Sequence, residues 1–177
     1  MARVYLICGK ICSGKSWYAK QLRETHPAVI LSTDEVTYDL TDNAQGEGYN
    51  AFAGRVNRYL RKKAVQIVEA GADVILDWGF WTRDDRREIS EYLRMRNVAY
   101  EWHYIDVSDA QWEKNIAERN RRIENGDGGP DFYVDEGLRN KVLSRFEIPA
   151  REEIDCWVRV PCPGNPDGNR IPGPDSP

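Results

Sequence analysis

Short apolar strands alternating with amphipathic helices predict an α/β protein built on a parallel sheet with helices on both faces. Three observations carry that prediction. Five short runs rich in apolar and β-branched residues recur along the chain. The segments between them place apolar residues at helical spacing. The first strand-to-helix turn reads Gly9-Lys10-Ile11-Cys12-Ser13-Gly14-Lys15-Ser16, which fits the phosphate-binding pattern G-x-x-x-x-G-K-[ST]. A chain of 177 residues, 41% hydrophobic and 31% charged, is long enough for a sizeable core.

Each element has its own reason. Arg3–Cys8 is a buried strand, short, apolar and followed by Gly9. A helix runs from Lys15 to about Thr25 and stops before Pro27. Ala28–Leu31 is a second strand. Residues 37–50 are polar, with Gly46 and Gly48, and read as a loop. Phe52–Ala70 puts Val56, Leu60, Ala64, Ile67 and Val68 near one helical face, and Gly71 stops it. Ala72–Asp77 is a third buried strand. Thr82 caps the next helix, with Asp84 and Asp85 in its first turn, and that helix runs to about Met95. Ala99–Ile105 is a fourth strand, and Ser108 caps a helix to about Asn125. Gly126–Pro130 breaks the chain, Asp135–Phe146 is helical, and Cys156–Val160 is a fifth strand. From Pro161 onward, six prolines and three glycines in 17 residues exclude a helix or central strand. Residues 1–160 thus read as one domain and 161–177 as a surface tail.

Composition narrows the function classes. A net charge of -4 and a pI near 5.3 argue against nucleic acid as the main partner. No apolar run approaches the roughly 18 residues of a membrane span. The opening MARVYLICG reads as a strand rather than a signal peptide, and the expected compartment is the cytoplasm. Cys8, Cys12, Cys156 and Cys162 form no C-x-x-C pair and read as free thiols. His26 and His103 are too scattered for a metal site or a histidine-based triad.

The phosphate loop carries the chemistry. Gly9 and Gly14 permit turns that aim backbone N–H groups at phosphate oxygens. Lys15 supplies a cation to the β- and γ-phosphates, and the Ser16 hydroxyl can ligate Mg²⁺. The following helix adds its positive N-terminal end. The nucleotide-contacting set is Gly9, Lys10, Ile11, Cys12, Ser13, Gly14, Lys15, Ser16 and Trp17. A thiol at Cys12 would make binding sensitive to oxidation. No guanine-reading N-K-x-D occurs, since Asn140-Lys141 continues Val142-Leu143, so ATP rather than GTP is expected.

In parallel sheets ligands gather at the carboxyl ends of strands. Asp34, just past strand two, can accept a proton from an attacking hydroxyl, or cap a helix. Asp77 ends strand three and can hold Mg²⁺ directly or through water. Arg83 and Arg86 lie three apart on the next helix and can meet phosphate or substrate, or be solvated helix charge. Arg119, Arg121 and Arg122 precede the glycine-rich break, as suits a lid over about 113–135 that closes on ATP. Arg119 is the first choice for the phosphates, with Arg122 second; a surface ion pair with Glu118 or Glu113 is the alternative.

Together these pieces resemble the small AAA-labelled ATP-binding proteins of the P-loop kinase-like superfamily. Relatives of that group include polynucleotide 5′-kinase, gluconate kinase, chloramphenicol phosphotransferase and zeta-toxin kinases. The matching segments are GKICSGKS, LSTDE, VILDWGFWTRDDR, AERN and RFEIPAREE, in family order over about residues 1–160. The resemblance implies a three-layer P-loop NTPase fold with sheet order 2-3-1-4-5. It also implies Mg·ATP as donor, Asp34 as base or acceptor-binding acid, and an arginine lid around Arg119. Two positions depart from many members: Thr37 and Asn115 stand where relatives carry arginine. The aromatic run Trp78, Phe80, Trp81 follows the family pattern and reads first as core, then as a stacking surface.

Three functions remain open on this reading. The first is a kinase acting on a hydroxyl of a small molecule. The second is a regulatory ATPase without such an acceptor. The third is a kinase of nucleic acid 5′-hydroxyl ends. Residues 37–60 are expected to shape the acceptor pocket, with Tyr38, Asp39, Tyr49, Asn57 and Arg58 as candidates.

Overall fold

A computed structural model describes residues 1–41, 48–129 and 131–160, without the side chains of Tyr49 and Asn50. The tail, with Cys162, and residues 42–47 of the expected loop lie outside that description, as does Pro130. Five strands form one parallel sheet: β1 (Val4–Cys8), β2 (Ala28–Ser32), β3 (Asp73–Asp77), β4 (Tyr100–Val107) and β5 (Cys156–Val160). The order is β2-β3-β1-β4-β5, as the resemblance implied. Six helices are described: α1 (Lys15–Thr25), α2 (Thr33–Thr41), α3 (Tyr49–Glu69), α4 (Arg83–Arg94), α5 (Asp109–Glu124) and α6 (Glu136–Arg145). None is long and apolar enough to cross a membrane.

The pleat of β1 sorts the core into two layers. Val4, Leu6 and Cys8 face the side covered by α3 and α4, where they pack with Leu60, Ala64, Ile89 and Leu93. Tyr5 and Ile7 face α1, through Tyr18, Ala19 and Leu22. All five residues of β1 are buried, as a central parallel strand requires. On the α1 side, Tyr18 Oη lies 2.6 Å from His103 Nδ1, and His103 Nε2 lies 3.0 Å from Glu101 Oε1. Burial lowers the His103 pKa although Glu101 opposes it. A neutral ring accepting from Tyr18 and donating to Glu101 satisfies both bonds and ties α1 to β4.

The capping expectations hold. The Thr82 side chain accepts from the Asp85 N–H in a reciprocal capping box, and Ser108 accepts from Gln111 N. One expectation fails: residues 37–50 are not all loop. α2 reaches Thr41 and α3 begins at Tyr49, three residues earlier than read. The hydroxyls of Thr37 and Thr41 donate to backbone carbonyls one turn back, at 2.6 and 2.7 Å. Such local bonding lets a polar, β-branched segment stay helical where propensity is weak.

Arg86 also sits differently from its expected role at phosphate or substrate. Its side chain is 3% exposed. Nε donates to Glu153 Oε2 at 2.9 Å, and Nη1 reaches the carbonyls of Glu147 at 3.1 Å and Phe80 at 3.4 Å. One guanidinium thus joins α4, the loop after β3 and the segment before β5. Burial raises the Glu153 carboxyl, but the Arg86 bond, the Ala150 N–H and the charges of Arg86 and Arg83 together outweigh it, and the net shift is downward. Replacing Arg86 with Ala leaves that carboxylate and two carbonyls without their partner. The expected loss is about 3 kcal/mol of unfolding free energy, read as a lower urea midpoint at unchanged slope.

Candidate functional site

The register of the sheet brings three strand ends into one row. Ile7 of β1 pairs with Asp77 of β3, and Asp77 pairs with Ser32 of β2. The segments that follow therefore emerge side by side: the phosphate loop, Thr33-Asp34, and Trp78–Trp81.

The loop geometry requires its glycines. A Cβ on Gly9 would lie 2.7 Å from Ser13 Oγ and 3.2 Å from the Ile105 carbonyl oxygen. Gly14 takes φ 98° and opens α1 without a side-chain cap. The first N–H groups of α1 therefore keep their donors for a ligand. Ser13 Oγ is buried and has no hydrogen-bond partner. Lys15 Nζ folds back to donate to the carbonyls of Lys10 and Gly9, at 2.8 and 3.2 Å. An orphaned hydroxyl, an uncapped helix start and an ammonium held only by its own loop fit a nucleotide phosphate chain. Burial pushes the Lys15 pKa down, while Asp77 and then Asp34 hold it up.

Asp34 lies in the first turn of α2 but is not the cap, because Ser32 Oγ accepts the Glu35 N–H at 3.3 Å. Water reaches Asp34 at the mouth of the site. The surrounding walls still raise its carboxyl above the ordinary range; Lys15 and Arg119 oppose this, and Asp77 adds to it. Asp77 is 8% exposed at the end of β3. Among the described residues, no group of three or more His, Cys, Asp or Glu could hold a metal unaided. Ser16 and Asp77 are two oxygen donors, which suits an ion that completes its shell with phosphate and water.

α5 braces the loop from the other side. Trp112 Nε1 donates to the Ile11 carbonyl at 2.7 Å, and Asn115 Nδ2 to the Cys12 carbonyl at 2.8 Å. Cys12 takes φ 58°, an uncommon conformation outside glycine, and the Asn115 bond holds it there. Burial pushes the Cys12 thiol up, which disfavours the thiolate through which the expected sensitivity to oxidation would act. Lys10 turns to Asp109 at 3.3 Å and over the Trp112 ring at 4.9 Å, away from the loop interior.

Further along α5, Arg119 lies close enough to influence Lys15, Asp34 and Cys12. It pairs with Asp131 at 3.1 Å, and Arg122 lies 3.9 Å from the same carboxylate. Neither Glu118 nor Glu113 is the partner; Glu113 pairs with Arg139. Asn120 clamps the returning chain by donating to the Val134 carbonyl at 2.9 Å and accepting its N–H at 2.8 Å.

Lys15, Asp34, Asp77 and Arg119 thus share one electrostatic environment. Ser16 opens α1 beside them, and Trp17 is half exposed in the same turn. Arg83 is exposed and 3.9 Å from Glu153. Asn57 accepts the Thr33 hydroxyl at 2.5 Å, next to Asp34. Sequence reasoning missed Trp112 and Asp131, and saw Asn115 only as a departure. Their signal is helical spacing: 112, 115 and 119 lie on one face of α5.

Comparison with known proteins places these features in context. Residues 4–149 match a family model described as an AAA domain. Over 154 residues the chain is 30% identical to the KTI12 homolog protein of Arabidopsis thaliana, covering 82% of this chain and 47% of that one. The chain therefore spans about half the length of that relative. Among solved structures, a protein of Chloroflexus aurantiacus provisionally titled a kinase superposes with a TM-score of 0.69 at 17% identity, covering 90% of this chain and 87% of that one. The APS kinase of Mycobacterium tuberculosis, solved with AMPPNP and APS, gives 0.60 at 15% identity, with 89% and 88% covered. At these identities the structures establish a shared fold.

The brace makes a specific prediction. Asn115→Ala removes one bond to the Cys12 carbonyl, about 1 kcal/mol. ATP affinity should fall about fivefold, measured by calorimetry. Trp112→Phe loses the pyrrole ring of a buried indole together with its N–H, so it should weaken ATP and also lower the thermal midpoint through the cavity it leaves.

Proposed function

The chain belongs to the AAA domain family, and from that premise we propose that it is a Mg²⁺-dependent kinase transferring the γ-phosphate of ATP to a hydroxyl of a small molecule. The observation that carries this reading is the convergence of Lys15, Asp34, Asp77 and Arg119 at one strand edge. A site that only bound nucleotide has no need of a second carboxylate beside the phosphate lysine.

Bound Mg·ATP supplies the transferable phosphoryl group and the metal that offsets its charge. Lys15 exchanges the carbonyls of Gly9 and Lys10 for phosphate oxygens. Ser16 and Asp77 would hold the metal. Asp34 accepts the proton of the acceptor hydroxyl, and its raised affinity for protons suits that task. Arg119, with Arg122 beside it, offsets charge on the transferring group. We assign the lid to about residues 113–135 and the compartment to the cytoplasm. The acidic balance of the chain supports a small molecule over nucleic acid.

Asp34→Asn should cost about 10²–10⁴-fold in phosphoryl transfer while ATP affinity stays within about twofold. Full activity in this variant would remove Asp34 as base. The test uses γ-labelled ATP against a metabolite pool, reading which compound acquires phosphate. Hydrolysis that no hydroxyl compound stimulates would point instead to a regulatory ATPase. A second expectation concerns pH. A base with a raised pKa is protonated, and so inactive, at pH values where an ordinary Asp is ionised. The acid limb of kcat/KM should therefore lie above the ordinary Asp value of 3.8. A limb at or below that value would contradict the assignment.

A further inference from the structure

A cleft of about 300 Å³ opens between α3 and α4, beside the loop that follows Asp77. That volume is at the small end for ligand sites, suited to a metabolite rather than a polymer. Two contacts join it to the strand edge. Asn57, in its lining, accepts the Thr33 hydroxyl at 2.5 Å, one residue from Asp34. Trp78, also in its lining, directly follows Asp77 and donates Nε1 to the Leu31 carbonyl at 3.1 Å.

The aromatic wall is rigid. Phe80 takes φ 43°, a conformation that bulky residues avoid. It is held there by the Arg86 bond to its carbonyl at 3.4 Å and by the Glu147 N–H on the Trp81 carbonyl at 2.8 Å. A Cβ on Gly79 would lie 2.8 Å from Trp81 Nε1, so only glycine lets that indole lie across the loop. Strain fixed from several sides beside a cleft is a mark of a shaped binding surface.

The polar groups of the lining are unevenly spent. Asp85 accepts the Thr82 N–H at 3.1 Å and belongs to the cap of α4. Glu88 is paired with Arg61 Nη1 at 2.6 Å. Both carboxylates are therefore committed. Arg61 Nε is buried without a partner. The side chain of Arg145, exposed at the rim, has no hydrogen bond or ion pair among the described residues. What remains on offer over the aromatic wall is the unpaired Arg145 guanidinium, with an Arg61 in the same lining that shares its charge with Glu88. Guanidinium groups match oxyanions in shape and charge.

We propose that this cleft is the acceptor pocket and that the acceptor is a small hydroxyl compound bearing an oxyanion, a carboxylate or a phosphate. The inference rests on the kinase reading for the fate of the hydroxyl, which faces Asp34. The oxyanion lies between Arg61 and Arg145. The transfer it implies breaks the bond from the γ-phosphorus to its bridging oxygen and forms one to the acceptor oxygen. The hydroxyl proton passes to Asp34, and ADP leaves.

Calorimetry on the full chain tests it with matched probes: gluconate against glucitol, and ribose 5-phosphate against ribose. At least one anion should bind ten or more times tighter than its neutral parent, and the tighter anion identifies carboxylate or phosphate. Arg145→Gln, at the exposed rim, should fold normally and remove that preference while ATP affinity stays within about twofold. Arg61→Gln should do the same where it folds. Equal binding of anion and parent, no anion binding at millimolar concentration, or an unchanged preference in Arg145→Gln would each overturn the proposal. So would a 5′-hydroxyl oligonucleotide that binds tighter than every small probe. The two readings separate cleanly. Anion binding lost in Arg145→Gln without any phosphate transfer keeps the pocket and rejects the kinase. Transfer to a neutral alcohol untouched by Arg145→Gln keeps the kinase and rejects the pocket.

Discussion

The hydrogen-bond register of the parallel sheet is the constraint on which the site depends. Because Ile7, Asp77 and Ser32 are neighbours in the ladder, three unrelated loops begin at one height. A one-residue slip of β3 would turn Asp77 to the opposite face and bury another side chain in its place. The alternation of Val74 and Leu76 toward one core layer and Ile75 toward the other prevents that slip. Hydrophobic patterning within the core thus aligns a carboxylate with a lysine contributed by a different element. Stability and site geometry are set by the same contacts.

The structure also shows where rigidity is concentrated. Of the three described residues outside glycine in the left-handed region, Cys12, Phe80 and Asn97, the first two stand in the loops that follow β1 and β3. Each is held by a side chain from a later helix, Asn115 of α5 for the first and Arg86 of α4 for the second. Neither bond touches the proposed reacting atoms. Their effect is to reduce the number of shapes the two loops can take before a ligand arrives, which lowers the ordering cost of binding.

Much of this was legible in the sequence, for identifiable reasons. Strands and most helices follow from periodicity, and the caps at Thr82 and Ser108 from short-range chemistry. The phosphate loop is a local pattern whose glycines have local causes. Arg86 could not be placed that way: helical spacing beside Arg83 looked like a substrate contact, yet its partners lie 61 and 67 residues away. The same holds for Asp131, whose link to Arg119 crosses a glycine-rich turn. The extent of α2 was missed because its helix-supporting bonds come from threonine hydroxyls, which usually signal turns. Local pattern fixes elements; identifying which charge meets which requires the fold.

The Arg119–Asp131 pair has a thermodynamic consequence. The chain carries its own counter-ion for the arginine nearest the phosphate lysine. Any anion that reaches Arg119 displaces a carboxylate rather than water alone, so its affinity is the difference between two charged contacts. Arriving anion and departing carboxylate carry charge of the same sign, which makes the event at this arginine an ion exchange. The Asp131 carboxylate, once released, is rehydrated on a segment that Asn120 still tethers through Val134. Occupancy is then recorded as a change in the hydration of one aspartate, and the arginine is not left without a counter-charge in either state.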